Sequence, residues 1–317
     1  MAKTLVNVDN FVHAENARMF QDLQRDAGGV NTFLHNRRPV EIDKQTVIRL
    51  NRDTLYSFAI VDISRGASFT IPEHGDRYLS AMVVNEAHHI NRTYHSPGSY
   101  ELSVGEFGSQ YVALAVRILA DPSDPSDIAE VGAIQDMLGL TSNSAVPFET
   151  PEYDAATFDD TRDALLALAS NLTGYDRMFG SVEQTDPVRH LIGTAAGWGG
   201  LPTTEACYVG GAVPQPDGRY EMTVEDVPVD GFWSISVYNS SGYFEPNDAD
   251  SYTINSVTAE KDDDGTVTVR FGQYPAGTPN VIVTPNDWNY LVRLYRPRAE
   301  ILDGTWSFPV PTAVPAG

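Results

Sequence analysis

Two sets of short alternating runs, one on either side of a helical stretch, constrain this chain more than any single motif. In the first half, TVIRL, LYSFAIVDI, ASFTI, RYLSAMVV, SYELSV and QYVALAVRIL are rich in β-branched and aromatic residues and are separated by Gly, Pro, Asp and Ser. In the last third, CYVGG, RYEMTV, FWSISVYN, SYTIN, TVTVRFG, NVIVT and YLVRLYRP repeat the rhythm. Alternation with a period of two suits a pleated strand and not a 3.6-residue helix. Strands at such spacing predict a β-sandwich before the helical stretch and another after it.

The helical signals lie at the start and in the middle. Residues 9–27 place Val12, Met19, Phe20 and Leu23 at helical spacing, with Asp9 as a candidate cap and Gly28-Gly29 as the stop. DPSDPSDIAEVGAIQDMLGL offers Ser126 as a cap and sets Ile128, Val131, Ile134 and Leu138 on one face. FDDTRDALLALASNL repeats the pattern with Leu165, Leu168 and Leu172. At 317 residues the chain exceeds the ~250–300 at which one core stops growing. The expected organisation is an N-terminal helix and sandwich over 1–120, a helical insert or linker over 121–195, and a second sandwich over 196–317. PQPDGR and KDDDGT between strands carry the Asp-Gly chemistry of tight turns.

The formal charge of −22 argues against nucleic-acid binding, because neutralising phosphates needs a cationic face. Of 21 basic residues only Lys3, Lys44 and Lys261 are lysine, a bias that points to a GC-rich or salt-adapted source. No apolar run reaches the ~18–20 residues of a membrane span, and MAKTLVNVDNFVHAEN lacks the apolar centre of a secretory signal. The expectation is a soluble, cytoplasmic protein. Its single cysteine, Cys207, cannot form an internal disulfide. The chain has no Gly-x-Ser-x-Gly elbow, no Gly-x-Gly-x-x-Gly fingerprint, no Walker loop, no HExxH and no paired Cys ligands, which disfavours the commonest hydrolase, dehydrogenase, NTPase and zinc-protease routes.

NRDT, inside RLNRDTLYSFAIVD, interrupts a strand-like run with polar residues. Arg52 supplies a bidentate fork, Asp53 accepts two hydrogen bonds and Tyr56 adds a phenol, a set suited to an anionic or hydroxylated ligand. The same residues, with Asn51 and Thr54, equally satisfy backbone groups at a strand entrance. HHINRTYH gathers His88, His89 and His95. If it stays extended, His89 and His95 share a face while His88 takes the other, and residues six apart stand ~20 Å apart, too far to share a metal without a bend. Proton transfer needs only one partner within reach, for which Asp53 or Glu86 are candidates.

Three further segments have both a structural and a functional reading. GWGGLPTTEACY sets Trp198 between glycines, as a stacking floor for a ligand or as a plug at a domain junction. EKDDDGTVTV fails as a calcium loop, because Phe271 stands where a bidentate Glu is required, and reads as a hairpin. RLYRPR gathers Arg293, Arg296 and Arg298 near the end of the last strand, with Arg293 and Tyr295 on one side of it, and the three arginines either clamp a carboxylate or tie down the C-terminal segment through Glu300 and Asp303. In FWSISVY, Trp233, Ile235 and Val237 face one way, into a core.

FWSISVYNSSGYFEPNDADSYTIN, KDDDGTVTVRFG and NYLVRLYRPRAEILDGTWSFP, preceded by NRDTLYSFAIVD, RYLSAMVV and GWGGLP, resemble a bacterial family with paired domains of unknown function, twelve-fifty-four at the N-terminus and twelve-fourteen at the C-terminus. The resemblance runs from about residue 28 to 310 and implies an immunoglobulin-like β-domain, a helical segment and a jelly-roll-like C-terminal domain. It departs at NVIVTPNDWNY, where many members carry an Asn-Trp-Leu-Pro stretch. It carries no established reaction.

The expected fold is therefore mainly β with a helical insert: an N-terminal immunoglobulin-like β-sandwich and a C-terminal jelly-roll-like β-sandwich. The expected function is binding of a small polar or anionic molecule, with cofactor-independent acid–base chemistry, hydrolysis or elimination, if the protein is an enzyme. In that reading His88 or His89 moves the proton, Asp53 orients it, Tyr56 and Arg52 hold developing charge, and Asn51, His95, Trp198 and Arg293 complete the ligand contacts, without a metal. The alternative is a non-catalytic carbohydrate- or small-ligand-binding module using Trp198 and Tyr243, and a third reading is assembly, including homo-oligomerisation, through sandwich edges.

Overall fold

The computed structural model describes residues 3–45, 48–172, 174–213 and 218–315. One compact unit comprises Met1–Arg37, Leu55–Ala120 and Asp124–Thr203; the other comprises Arg38–Thr54, Asp121–Ser123 and Thr204–Gly317. The helices of the middle section therefore cluster with the first unit, and a stretch from the N-terminal half belongs to the second.

In chain order, the first unit carries α1 (Phe11–Ala27), β1 (Leu34–His35), β2 (Thr54–Asp62), β3 (Ala67–Ile71), β4 (Leu79–Asn85), β5 (Ile90–Tyr94), β6 (Gly98–Leu102), α2 (Val104–Phe107), β7 (Tyr111–Leu119), α3 (Pro125–Asp136), β8 (Gly139–Ser142), α4 (Ala155–Ala169) and α5 (Pro187–Gly197). A five-stranded sheet, β1-β2-β7-β4-β5, and a three-stranded sheet, β6-β3-β8, share one core. Leu55, Val61, Leu79, Val83, Leu114 and Val116 from the first meet Phe69, Ile71 and Leu102 from the second, and Val131, Ile134 and Leu138 close one margin from α3 and its end. A smaller core joins α1, α4 and α5 through Phe11, Phe158, Leu165 and Ile192.

Local details depart from expectation where hydrogen bonding outranks pattern. Asn10, not Asp9, occupies the N-cap position of α1, where Asn7 and Asn10 satisfy one another and Leu5. Asp124 caps α3 and accepts from Ser126 N–H, because a carboxylate one residue before Pro125 reaches the orphan donors better than a hydroxyl inside the turn. Leu168 is exposed on α4 while Leu165 is buried, since only a narrow stripe of that helix meets its neighbours. Ile48 and Arg49 form a turn, not a strand, and Thr46 and Val47 of the same run lie outside the described residues, as do residues 214–217 of PQPDGR.

The second unit holds β9 (Ala206–Ala212), β10 (Tyr220–Val224), β11 (Trp233–Tyr238), β12 (Thr253–Asn255), β13 (Val267–Phe271), β14 (Val281–Ile282), β15 (Asn289–Tyr295), α6 (Ala299–Leu302) and β16 (Thr312–Ala313). Two four-stranded sheets, β14-β13-β10-β16 and β12-β11-β15-β9, form a sandwich. Its core is Met222, Val269, Phe271 and Ile282 from one sheet against Trp233, Ile235, Val237, Val292 and Leu294 from the other, with Trp288 stacked on Phe271 at 5.2 Å. Burying a side chain such as Phe271 stabilises by about 1.5–3 kcal/mol. The protein is thus mainly β, two sandwiches with helices, as its strand rhythm predicts. KDDDGT forms a tight turn at Asp262–Gly265 that leads into β13, but not the expected hairpin, because β12 and β13 belong to different sheets.

β11 is buried along its whole length, on both faces. The face opposite the core carries Ser234, Ser236 and Tyr238, and a strap whose described residues are 38–45 and 48–54 lies over it. Ile42 and Leu50 of the strap pack with Tyr238, Phe244, Tyr252 and Leu291. The Gln45 side chain accepts from Phe244 N–H and donates to Phe244 O, and Arg49 N–H donates to Gly242 O.

Candidate functional site

The strap delivers NRDT into the polar face of β11. Asp53 is 0% exposed, and its carboxylate accepts from Ser234 Oγ at 2.6 Å and Thr253 Oγ1 at 3.2 Å. Burial pushes its pKa up, against the opposing pull of Arg293 and of the hydrogen bonds from Ser234, Thr253 and Asn255. Arg293, 3% exposed, donates to Ser236 Oγ, Tyr238 Oη and the carbonyls of Arg49 and Leu50. Burial works against its charge, but Tyr238, Tyr295 and Asp53 more than offset it and raise its pKa. Asn51 accepts from Asp53 N–H and donates to Tyr295 Oη at 2.9 Å. Arg52 donates to Val40 O at 2.7 Å and lies over the Tyr252 ring. Of the predicted residues, Asn51, Arg52, Asp53 and Arg293 thus fall in the second unit, where each bonds to hydroxyl or backbone groups. Of the three arginines of RLYRPR, Arg298 makes an ion pair, with Asp230 in place of the expected Glu300 or Asp303.

The predicted histidines lie in the first unit and do not continue a strand. His88 has φ +60° in the turn between β4 and β5, a left-handed conformation that breaks the expected alternation. Asn85 builds that turn by accepting from Ala87 and His89 N–H. His88 is fully buried between His190 and Trp198, at ring separations of 5.5 and 5.6 Å, and His89 stacks on the outer side of His190 at 4.4 Å. The order of the column is His89, His190, His88, Trp198.

The hydrogen bonds fix the tautomer of His88. Thr194 Oγ1 spends its proton on His190 O, so it accepts from His88 Nδ1–H at 2.8 Å. Gly199 N–H donates to His88 Nε2 at 3.0 Å. His88 is therefore the neutral Nδ1–H form, and burial, then His190 and His89, hold its pKa well below the ordinary histidine range. Both ring nitrogens are taken within this unit, which corrects the expectation that Asp53 orients it. His89 is half-buried; burial and His190 lower its pKa, against the Gly180 carbonyl and Glu183, and its Nδ1 has no hydrogen-bond partner. His190 faces Met178 O and Ala87 O with its two nitrogens. His95 stands apart, with Nδ1 on Leu79 O and its ring near Tyr78.

GWGG connects this column to the five-stranded sheet. Trp198 Nε1–H donates to Asn16 Oδ1, and Asn16 donates to Asn85 O, which ties α1 to the histidine turn. Gly199 has φ +73°, and a Cβ on Gly200 would stand 2.4 Å from the Phe179 ring, so both positions need glycine. The Gly199 carbonyl accepts from Arg117 Nη2 at 2.6 Å. Arg117, 7% exposed, lies over the Tyr56 ring at 5.2 Å. Its register partner on β4 is Ser80, so their side chains share the sheet face opposite the core. Ser80 is 0% exposed and its hydroxyl has no hydrogen-bond partner.

Arg117, Ser80, His190, Thr194 and Asn16 are missing from the sequence expectations. Arg117 was legible as the one charged residue inside YVALAVRIL, and His190 and Thr194 as an i, i+4 pair after the Asp186-Pro187 helix start. Among the described residues no group of three or more His, Cys, Asp or Glu is arranged to hold a metal ion, and no helix is long and apolar enough to cross a membrane.

Two family models match the chain: Protein of unknown function (DUF1254) over residues 30–101 and Protein of unknown function (DUF1214) over residues 210–299. The VPA0106 protein of Vibrio parahaemolyticus is similar in structure, with a TM-score of 0.73 and 16% identity over 98% of this chain and 100% of that one. An uncharacterised protein of Burkholderia cenocepacia is similar with a TM-score of 0.55 and 15% identity, over 95% of this chain and 87% of that one. These likenesses bear on fold alone, and no curated protein matches. With one model over NRDTLYS and the other over RLYRPR, in that order, the chain belongs to the family that pairs these two domains of unknown function.

Proposed function

We propose that the protein binds a small anionic molecule in its first unit, at the sheet face formed by Arg117, Ser80 and Tyr56. The observation that carries this reading is the Ser80 hydroxyl, fully buried without a partner and in register beside a guanidinium. A buried hydroxyl left unbonded is costly, and a carboxylate would accept its proton and a guanidinium N–H together. The Tyr56 ring under Arg117 holds the guanidinium plane and favours its charge. The column side of Trp198 is covered by His88 and its N–H is taken by Asn16, which supports this reading over sugar stacking on that tryptophan.

Calorimetric titration with acetate, benzoate and inorganic phosphate at constant ionic strength tests the reading. Saturable binding of a carboxylate is expected, weakened about tenfold or more in Arg117→Gln and in Ser80→Ala, as befits loss of a hydrogen bond to a charged group. Absence of saturable anion binding to the wild-type protein refutes it.

A second reading, acid–base chemistry, rests on His89. A half-buried imidazole held neutral, with one nitrogen unspent and the Glu183 carboxylate nearby, has the attributes of a proton acceptor. If ligand turnover is found, His89→Gln should abolish it while leaving anion affinity within about threefold.

A further inference from the structure

We infer that His88 is a positioning residue for Arg117, acting through the Gly199 peptide, and that anion binding at Arg117 is lost when His88 gains a proton. This rests on the anion-binding reading above and names its regulation. One peptide unit carries the connection: Gly199 N–H ends on His88 Nε2 and Gly199 O receives Arg117 Nη2. Neither end has slack. His88 is locked by Thr194 on its other nitrogen and by rings on both faces, and Trp198, next to Gly199, is anchored to Asn16.

A proton at Nε2 replaces the lone pair that accepts from Gly199 N–H. Two donors then face one another, so the Gly199 peptide must turn away and takes with it the carbonyl that orients Arg117. The titratable groups acting on His88 are His190, from α5, and His89, from its own turn. Trp198, Phe179 and Thr194 complete the surroundings and carry no charge. Among the described residues these groups offer no carboxylate to an imidazolium, which places the release on the acid side of neutrality.

Two substitutions separate this inference from simple loss of structure. Asparagine tolerates a positive φ and retains a polar atom near Thr194, but it is too short to reach Gly199. Glutamine reaches Gly199 with a carbonyl oxygen that accepts and does not titrate. The protection of the Gly199 amide against hydrogen exchange, taken relative to its intrinsic exchange rate at each pH and measured without any ligand, should be high in wild type at neutral pH and fall on acidification. In His88→Gln it should stay high across the same range. In His88→Asn it should be at least tenfold lower at every pH, with the fold retained by circular dichroism. Acetate affinity should follow the same order: about tenfold or more below wild type in His88→Asn, and within about threefold but without the additional acid loss in His88→Gln.

Protection at Gly199 that is indifferent to pH, or unchanged in His88→Asn, overturns the inference. If exchange behaves as expected but no anion binds, the connection stands and the binding reading above is what fails. If anions bind with affinity independent of both substitutions, the binding reading stands and the coupling is wrong.

Discussion

Each unit buries a polar cluster against the outer face of a sheet, and the two clusters are finished to different degrees. In the second unit, Asp53 and Arg293 are enclosed by Ser234, Thr253, Ser236, Tyr238 and strap carbonyls, so hydroxyl and backbone groups surround both charges. In the first unit, Ser80 Oγ and His89 Nδ1 remain without partners, beside a guanidinium and a column of imidazoles. A closed cluster specifies a fold, because every member is costly to remove. An open one retains hydrogen-bonding capacity that only another molecule can use.

The largest test of that contrast is to break the closed cluster. Arg293→Ala should destabilise the protein by about 3–5 kcal/mol, read from urea unfolding, since it leaves Asp53 buried without its countercharge. Ser80→Ala, in the open cluster, should be neutral or slightly stabilising, within about 1 kcal/mol, because it deletes an unmade hydrogen bond. A loss above 2 kcal/mol in Ser80→Ala would mean that this hydroxyl is already satisfied and that the clusters do not differ.

Acid should affect the two clusters in opposite senses. The folded pKa of His88 lies below its unfolded value, so its contribution is complete above about pH 6.5 and is lost as pH falls toward the depressed value. The folded pKa of Asp53 is raised, so its contribution is complete below about pH 3.9 and is lost as pH rises through the folded value. Thermal melts between pH 7 and 5 should show acid destabilisation that His88→Gln reduces and Asp53→Asn does not. The smallest effect belongs to ordinary helix capping in the first unit, outside both clusters: Asp124→Ala should cost about 1 kcal/mol and leave anion binding unchanged.

How far the sequence disclosed these features follows from what alternation encodes. A period of two reports apolar burial on one face, so Trp233, Ile235 and Val237 identify the core side of β11 without ambiguity. Ser234 and Ser236 look like a solvent face by the same rule and are buried, because the strap that covers them arrives from 180 residues upstream. NRDT was visible as a polar knot, yet its partners were not, since Asp53 and Thr253 are separated by 200 positions. His88 and His89 were visible by type. Their column was not, because His190 comes from a helix more than a hundred residues away and the turn's left-handed backbone overrides strand alternation.

The strap also has a consequence in time. Asp53 emerges from the ribosome 181 residues before Ser234, its hydrogen-bond partner. At ~5–20 residues per second, that is a delay of ~10–35 s in which the strap has no seat. The first unit's strands on either side of it can pair during that interval, but the segment between them must wait as an unburied loop. Synthesis of this protein therefore cannot finish its second sandwich vectorially: the last strands made must capture a piece of chain from the first fifth, and truncation before β15 should leave that piece exposed to proteases.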